Sequence, residues 1–184
     1  MSMSEHPTAA LLVEVAARIV DRDGVDGLTV RRLVEESGIS VGSLYHHVGD
    51  IDGLLERVRA EALAEWSGAF TTALGRGGLV AAYEAEGRWR REHPGVAELV
   101  DRAGRTGALG EGAVRFGEAL RAWLDEQDLA RGAPAAVVAA LVLGPLLELR
   151  RLEGALGRRT TRAELAATAA AVEAGLASIG ARSR

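Results

Sequence analysis

The residues able to do chemistry crowd into one short stretch of the chain: Thr29, Arg31, Arg32, Glu35, Glu36, Ser40, Ser43, Tyr45, His46 and His47. Two kinds of chemistry are open to such a set. Histidines near carboxylates suggest a metal or acid–base site, whereas hydroxyls, guanidiniums and imidazoles in series suggest hydrogen bonds to phosphates and base edges. Spacing argues against the first. Adjacent histidines on a helix project about 100° apart, so His46 and His47 do not face one metal as an i, i+4 pair does. The chain has no cysteine to supply a thiolate ligand or nucleophile, and no phosphate loop. No catalytic residue, metal site or cofactor is expected, and the chain does not read as an enzyme.

The elements that must position these residues are helical. Leu12, Ala16, Ile19 and Val20 repeat at three and four residues, and Gly24 and Gly27 end that first helix. Thr29 is placed to cap a short second helix with Val30, Leu33 and Val34 on one face, which Gly38 stops. Ser40 caps the next, Val41 to Val48, with Leu44 and Val48 on one side and Gly49 beyond. Ile51, Leu54, Leu55, Val58, Ala62 and Trp66 begin the stripe of a long fourth helix that Gly75, Gly77 and Gly78 interrupt. Further helices are expected over 79–92, Pro94–Ala103, Glu111–Asp128, Pro134–Leu156 and Arg162–Ile179, with no strand. The fold class is all-α, with about nine helices. Residues 1–50 form a three-helix module and residues 51–184 a second, larger helical domain. Two short helices joined by a glycine turn are the geometry of a helix-turn-helix, but an αα-hairpin without a DNA role shows the same periodicity.

Composition sets limits on both readings. The formal net charge is -4, and residues 1–60 hold six Arg against ten Asp and Glu, so non-specific attraction to phosphate is weak. All 22 basic residues are Arg. The N-terminus carries no basic patch followed by an apolar run, and the longest uncharged stretch, 132–147, is short of the roughly 20 residues a bilayer needs. The expectation is a cytoplasmic protein with no membrane partner.

The run from Leu28 through Thr29, Arg31, Leu33, Gly38, Ser40, Gly42, Leu44, Tyr45 and His46 to Val48 closely resembles the helix-turn-helix of the tetracycline-repressor (TetR) family of bacterial transcriptional regulators. The resemblance reaches back to Ala16 and forward to Leu55, about the first sixty residues. It implies that the third helix enters the major groove of operator DNA. Ser40 and Ser43 would then meet phosphate or base edges, and Val41 a thymine methyl. Gly42 would allow close approach of the backbone, Tyr45 and His46 would reach flanking phosphates, and Thr29 and Arg31 would hold backbone phosphate from the second helix. By spacing alone Val41 also fits the core beside Leu44. One departure stands out: where such proteins often carry a basic phosphate contact, this chain has Gly49-Asp50-Ile51-Asp52.

The resemblance also implies a homodimer, built on the two C-terminal helices, Pro134–Leu156 and Arg162–Ile179, that reads a pseudo-palindromic operator. The apolar stripes Val138, Leu141, Val142, Pro145, Leu149, Leu152 and Leu165, Ala169, Val172, Leu176, Ile179 are its candidates, an intramolecular hairpin being the alternative. An unidentified small-molecule effector is expected, with Trp66, Tyr83, Trp89, Phe116 and Trp123 as candidate pocket residues, although aromatics at helical spacing are more often core. Glu86, Arg90 and His93 could orient a polar ligand, although such charged residues are more often solvated. The function implied is a ligand-responsive repressor; the alternative is a helical, dimeric small-molecule-binding or interaction protein whose DNA binding is weak or lost.

Overall fold

Apolar residues spaced for one helical face, with glycine at nearly every interruption, wind almost the whole chain into helices in the computed structural model, which describes residues 5–106 and 110–181. These are α1 (Glu5–Asp23), α2 (Val30–Ser37), α3 (Val41–Val48), α4 (Ile51–Glu92), α5 (Pro94–Thr106), α6 (Gly110–Glu126), α7 (Ala135–Leu156) and α8 (Arg162–Ala181). There is no strand among the described residues, and no helix among them is long and apolar enough to cross a membrane. The expected fourth and fifth helices follow one another as α4, divided by a kink where the sequence placed the break. Its only break is at Gly77 and Gly78, where Gly78 takes φ 67°, a left-handed conformation that favours glycine. Pro134 stands one place ahead of α7 as its N-cap, outside the first turn where it was expected.

The chain divides into two compact units. The first takes the chain up to Glu65 and then Arg90–Gly112; the second takes Trp66–Trp89 and the chain from Ala113 onward. In the first unit, Leu12, Val15, Ala16 and Ile19 of α1, Leu33 of α2, Leu44 of α3 and Leu54 of α4 are fully buried. Helix α5 joins this unit through a joint that the periodicity did not announce. The Asp21 carboxylate at the end of α1 accepts from the Val96 backbone N–H at 2.9 Å, satisfying a donor left over in the first turn of α5, and its other oxygen lies 3.1 Å from His93 Nδ1. Gly95 makes this docking possible, since a Cβ there would fall 2.0 Å from the Val20 carbonyl oxygen. Arg90 clasps Asp101 with two hydrogen bonds of 2.8 Å.

The second unit is built around Phe70, Leu74, Leu79, Tyr83, Leu124, Val142, Leu146 and Leu176, all almost wholly buried. Tyr83 donates its hydroxyl to the Val142 carbonyl at 2.7 Å, and burial, aided by the Glu173 charge, raises its ionisation well above the usual phenol range. Asp128 and Ala130 both adopt positive φ (55° and 50°) in the turn between α6 and α7, and Arg121 donates to the Ala130 and Ala133 carbonyls across that turn. Glu86 and Arg150 form an ion pair at 2.7 Å with side chains 1% and 11% exposed, and Arg150 also reaches the Tyr83 carbonyl and Glu153. Glu86, Arg90 and His93 are thus engaged in internal pairs, Glu86 deeply; the expectation that they are solvated fails because each has a charged partner distant in sequence.

The stripes assigned to dimerisation need correction. Val138, Val142, Leu165, Ala169, Val172 and Leu176 are buried by the chain's own helices, so an arginine at Leu176 would disrupt the unit's core and not test an interface. The large apolar residues that α7 turns outward are Val137, Leu147 and Leu156, and α8 turns out a row of alanines, Ala163, Ala166, Ala170, Ala174 and Ala177.

Candidate DNA-binding site

The site is a pair of two-turn helices, each too short to persist alone, so their ends and inner faces must hold them. The Thr29 hydroxyl accepts from the Arg32 backbone N–H at 3.3 Å, and the Ser40 hydroxyl accepts from that of Ser43 at the same distance. Each such cap is worth about 1 kcal/mol. Gly38 ends α2 at φ 68° with its N–H on the Val34 carbonyl, and the Ser37 hydroxyl accepts from the Ile39 N–H at 3.2 Å, which closes the turn into α3. Inside, Leu33, Leu44 and Val48 are buried; at the exit of α3, Asp50 Oδ1 accepts from the Gly53 N–H at 2.7 Å and starts α4. A Cβ at Gly53 would lie 3.1 Å from the Val48 carbonyl oxygen, so this glycine lets α4 begin hard against the end of α3. Sequence reasoning missed it, although an isolated glycine in a helical stripe is itself a signal of close approach.

Once Leu44 and Val48 point inward, the helical period turns the other side of α3 to solvent. Val41 is 47% exposed and Tyr45 51%, both large apolar bodies left uncovered by the chain, and Ser40, Gly42 and His46 are exposed beside them. Val41 is therefore outside the core that its spacing also allowed. Ser43 is half-buried behind this row. A Cβ at Gly42 would meet nothing within 4 Å. His46 and His47 pack edge to face with ring centroids 5.1 Å apart.

The cations around α3 are unequally available. Arg22 is held by Glu36 at 2.6 Å and Asp23 at 2.7 Å, and Arg32 by Asp23 at 2.8 Å. The hydrogen bond from Arg22 lowers the Glu36 carboxyl below its ordinary range, and the same bond raises Arg22. Arg31 is 88% exposed, with Glu35 3.7 Å away, and so can turn to a phosphate at little cost. Ile51, at the place of the absent basic contact, is half-buried.

The candidate pocket aromatics all fall in the second unit. Trp66 lies 5.1 Å from Phe116 and 5.7 Å from Phe70 between ring centroids, and Phe70 lies 5.4 Å from Phe116, so these rings fill space against one another. Tyr83 and Trp89 are buried, and Trp123 packs half-buried on the same core.

An all-helical chain with capped, tightly turned α2 and α3 and an outward polar and apolar face on α3 has the form of a helix-turn-helix protein. Comparison with known proteins places this module. Residues 12–58 match the model of the bacterial regulatory proteins, tetR family. The chain is 33% identical over 63 residues to the HTH-type transcriptional regulator BetI of Vibrio atlanticus, a match covering 34% of this chain and 32% of the relative. It is 36% identical over 110 residues to the HTH-type transcriptional repressor DrrR1 of Streptomyces coeruleorubidus, covering 53% and 38%. The chain thus spans only about a third of the length of these relatives. A solved structure assigned to the TetR family, from Mesorhizobium loti, shares the fold over 97% of this chain and 98% of its own, with TM-score 0.70 and 17% identity. Residues 12–58 thus carry a module similar to the N-terminal one of the tetR family, and nearly the whole chain shares the fold of a solved structure assigned to that family.

Proposed function

We propose that the chain is a DNA-binding transcriptional regulator, a repressor that reads a pseudo-palindromic operator as a homodimer and responds to a small-molecule effector in the cytoplasm. The observation that carries this is the outward row of α3. Val41, Gly42 and Tyr45 stand uncovered on a helix whose opposite side is fully packed. Residues 1–50 do the reading, with Ser43 and Val41 toward base edges and Thr29, Arg31, Ser40, Tyr45 and His46 toward phosphates. Residues 51–184 supply the dimer contact, through Leu147 and the outward alanines of α8, and the effector site among Trp66, Tyr83, Trp89, Phe116 and Trp123. Effector binding changes operator affinity by about 1 to 3 kcal/mol, the usual size of such coupling.

A mobility-shift titration with the DNA upstream of the protein's own gene tests the reading. Tyr45→Ala should weaken the complex while leaving the thermal melt unchanged, and Leu147→Arg should shift sedimentation toward a monomer and weaken binding with it. A folded wild-type dimer that shows no preference for any DNA selected from its genome would refute the proposal. That outcome would favour an interaction module without DNA binding, a reading supported by the carboxylates that already hold Arg22 and Arg32.

A further inference from the structure

Only one residue, His93, stands between the end of α4 and the start of α5. Its backbone opens α5, its carbonyl accepting the Ala97 N–H at 2.9 Å, while its ring lies between carboxylates brought from two other places in the first unit. Nδ1 is 3.1 Å from Asp21 Oδ2 of α1, and Nε2 is 3.5 Å from Glu65 Oε1 of α4. A neutral imidazole cannot serve both. It has one N–H and one lone pair, so in either tautomer one ring nitrogen sets its lone pair against a carboxylate oxygen, and only the imidazolium donates on both sides. The wider surroundings are balanced: the cleft beside the ring is lined by Glu14, Arg18 and Arg22 of α1 and by Glu61, Arg91 and Glu92 of α4, three carboxylates against three guanidiniums, and the first turn of α5 carries no charge. The two carboxylates against the ring are what distinguish its charged from its neutral form.

Asp21 is the shared element. Its other oxygen accepts the Val96 N–H at 2.9 Å, so one carboxylate ties the end of α1 both to the ring and to the first turn of α5. The two carboxylates differ in freedom, since the Asp21 side chain is 18% exposed and that of Glu65 61%. When the ring loses its proton, Glu65 can turn to water, but Asp21 stays, holding a neutral donor where it had a charged one, a bond roughly half as strong. We propose that His93 is a proton-operated clasp: protonated, it fastens the end of α1, α4 at Glu65 and the first turn of α5 to one another, and deprotonated, it lets Glu65 go and weakens the hold of Asp21 on α5. A proton bound by the closed joint and released on opening favours the closed joint at low pH, and that contribution is lost as pH rises. The clasp acts on α1, the helix against which α2 and α3 pack, so it bears on how firmly that pair is seated. It needs no ligand and stands or falls without DNA binding.

Amide hydrogen exchange followed by nuclear magnetic resonance on the full chain tests the clasp, with each rate divided by the intrinsic rate at that pH. Between about pH 5.5 and about pH 8.5, a span in which imidazoles change charge, protection of the Val96 N–H should fall at least about threefold, while that of the Val138 N–H, bonded to the Pro134 carbonyl at the start of α7, stays within about 1.5-fold. His93→Gln should flatten the Val96 profile. Glu65→Gln, whose amide can donate to the lone pair of a neutral ring, should at least halve the fall, a recovery that a merely space-filling histidine would not show. The wild type supplies a further reading that needs no variant: nitrogen shifts of the His93 ring should show both nitrogens protonated at the low end and one at the high end, and the loss of Val96 protection should follow that change. A flat Val96 profile in the wild type, an undiminished fall in either folded variant, or a fall that does not track the ring would each overturn the proposal.

Discussion

The α2–α3 pair and the core of the second unit solve opposite problems. The pair has little interior, so hydroxyl caps, a left-handed glycine and three buried side chains hold it while its other face stays open. The second unit has a deep apolar core and encloses an ion pair, Glu86 with Arg150, inside it. In the first, the hydrogen bonds that cap and turn the helices run between residues two to four apart. In the second, the decisive partners are some sixty residues apart, as with Tyr83 and Val142 at a separation of 59 and Glu86 and Arg150 at 64. Short-range devices leave a surface free for reading; long-range ones fix a scaffold.

The largest expected effect tests the long-range side. Arg150→Ala takes its guanidinium partner from the buried Glu86 carboxylate and should cost about 3–5 kcal/mol in denaturant unfolding, with much of the loss recovered by removing Glu86 as well, in a Glu86→Leu, Arg150→Met double variant. A loss under 1 kcal/mol would mean that the pair is solvated and that the contrast between regions is overstated. Next comes a pair of substitutions on one helix. Leu44→Ala should cost about 2–5 kcal/mol, whereas Val41→Ala, three residues earlier, should stay within about 0.5 kcal/mol and change preference among operator variants instead. Comparable destabilisation by both would place Val41 in the core.

How much of this was legible follows the same divide. Thr29, Gly38, Ser40 and Gly49 announce their structural work in the sequence because a cap or a left-handed turn is decided by a residue and its immediate neighbours, and the helix limits of α2 and α3 came out as read. Val41 was undecided by spacing, since period 3.6 places it near Leu44; only the packed structure turns it outward. Glu86, His93 and Asp21 were opaque, because a charged residue becomes internal only when a distant helix brings its partner. The same holds for Gly95, whose contact is with the Val20 carbonyl 75 residues earlier. At Leu176 the reading found an apolar stripe correctly but could not tell the chain's own core from a second copy's.

Smaller effects sharpen the local side. Ser40→Ala should lower stability by about 1 kcal/mol, read as a shift of the denaturation midpoint at unchanged slope. Thr161 and Glu164 form a reciprocal cap at the start of α8, in which the Thr161 N–H and hydroxyl donate to Glu164 Oε2 at 2.7 and 2.9 Å, and the Glu164 N–H donates to the Thr161 hydroxyl at 3.2 Å. The hydrogen bond from Arg158, then those of Thr161, bring the Glu164 carboxyl down from 4.5 to about 2. A carboxyl with a lowered folded-state value stabilises above its unfolded value and loses that contribution as pH falls, here between about 4.5 and 2. Carboxyl titration by nuclear magnetic resonance should find Glu164 ionised at pH 3.5; a midpoint near 4.5 would show the cap open in solution.

The empty space around position 42 has a consequence for anyone evolving this protein. An alanine at Gly42 would touch nothing in the chain and, within a helix, should raise folding stability by about 1 kcal/mol. Selection for thermal tolerance alone would therefore be expected to replace that glycine, and selection for operator recognition to keep it. The residue found there after many generations would then be a record of which demand the protein was under.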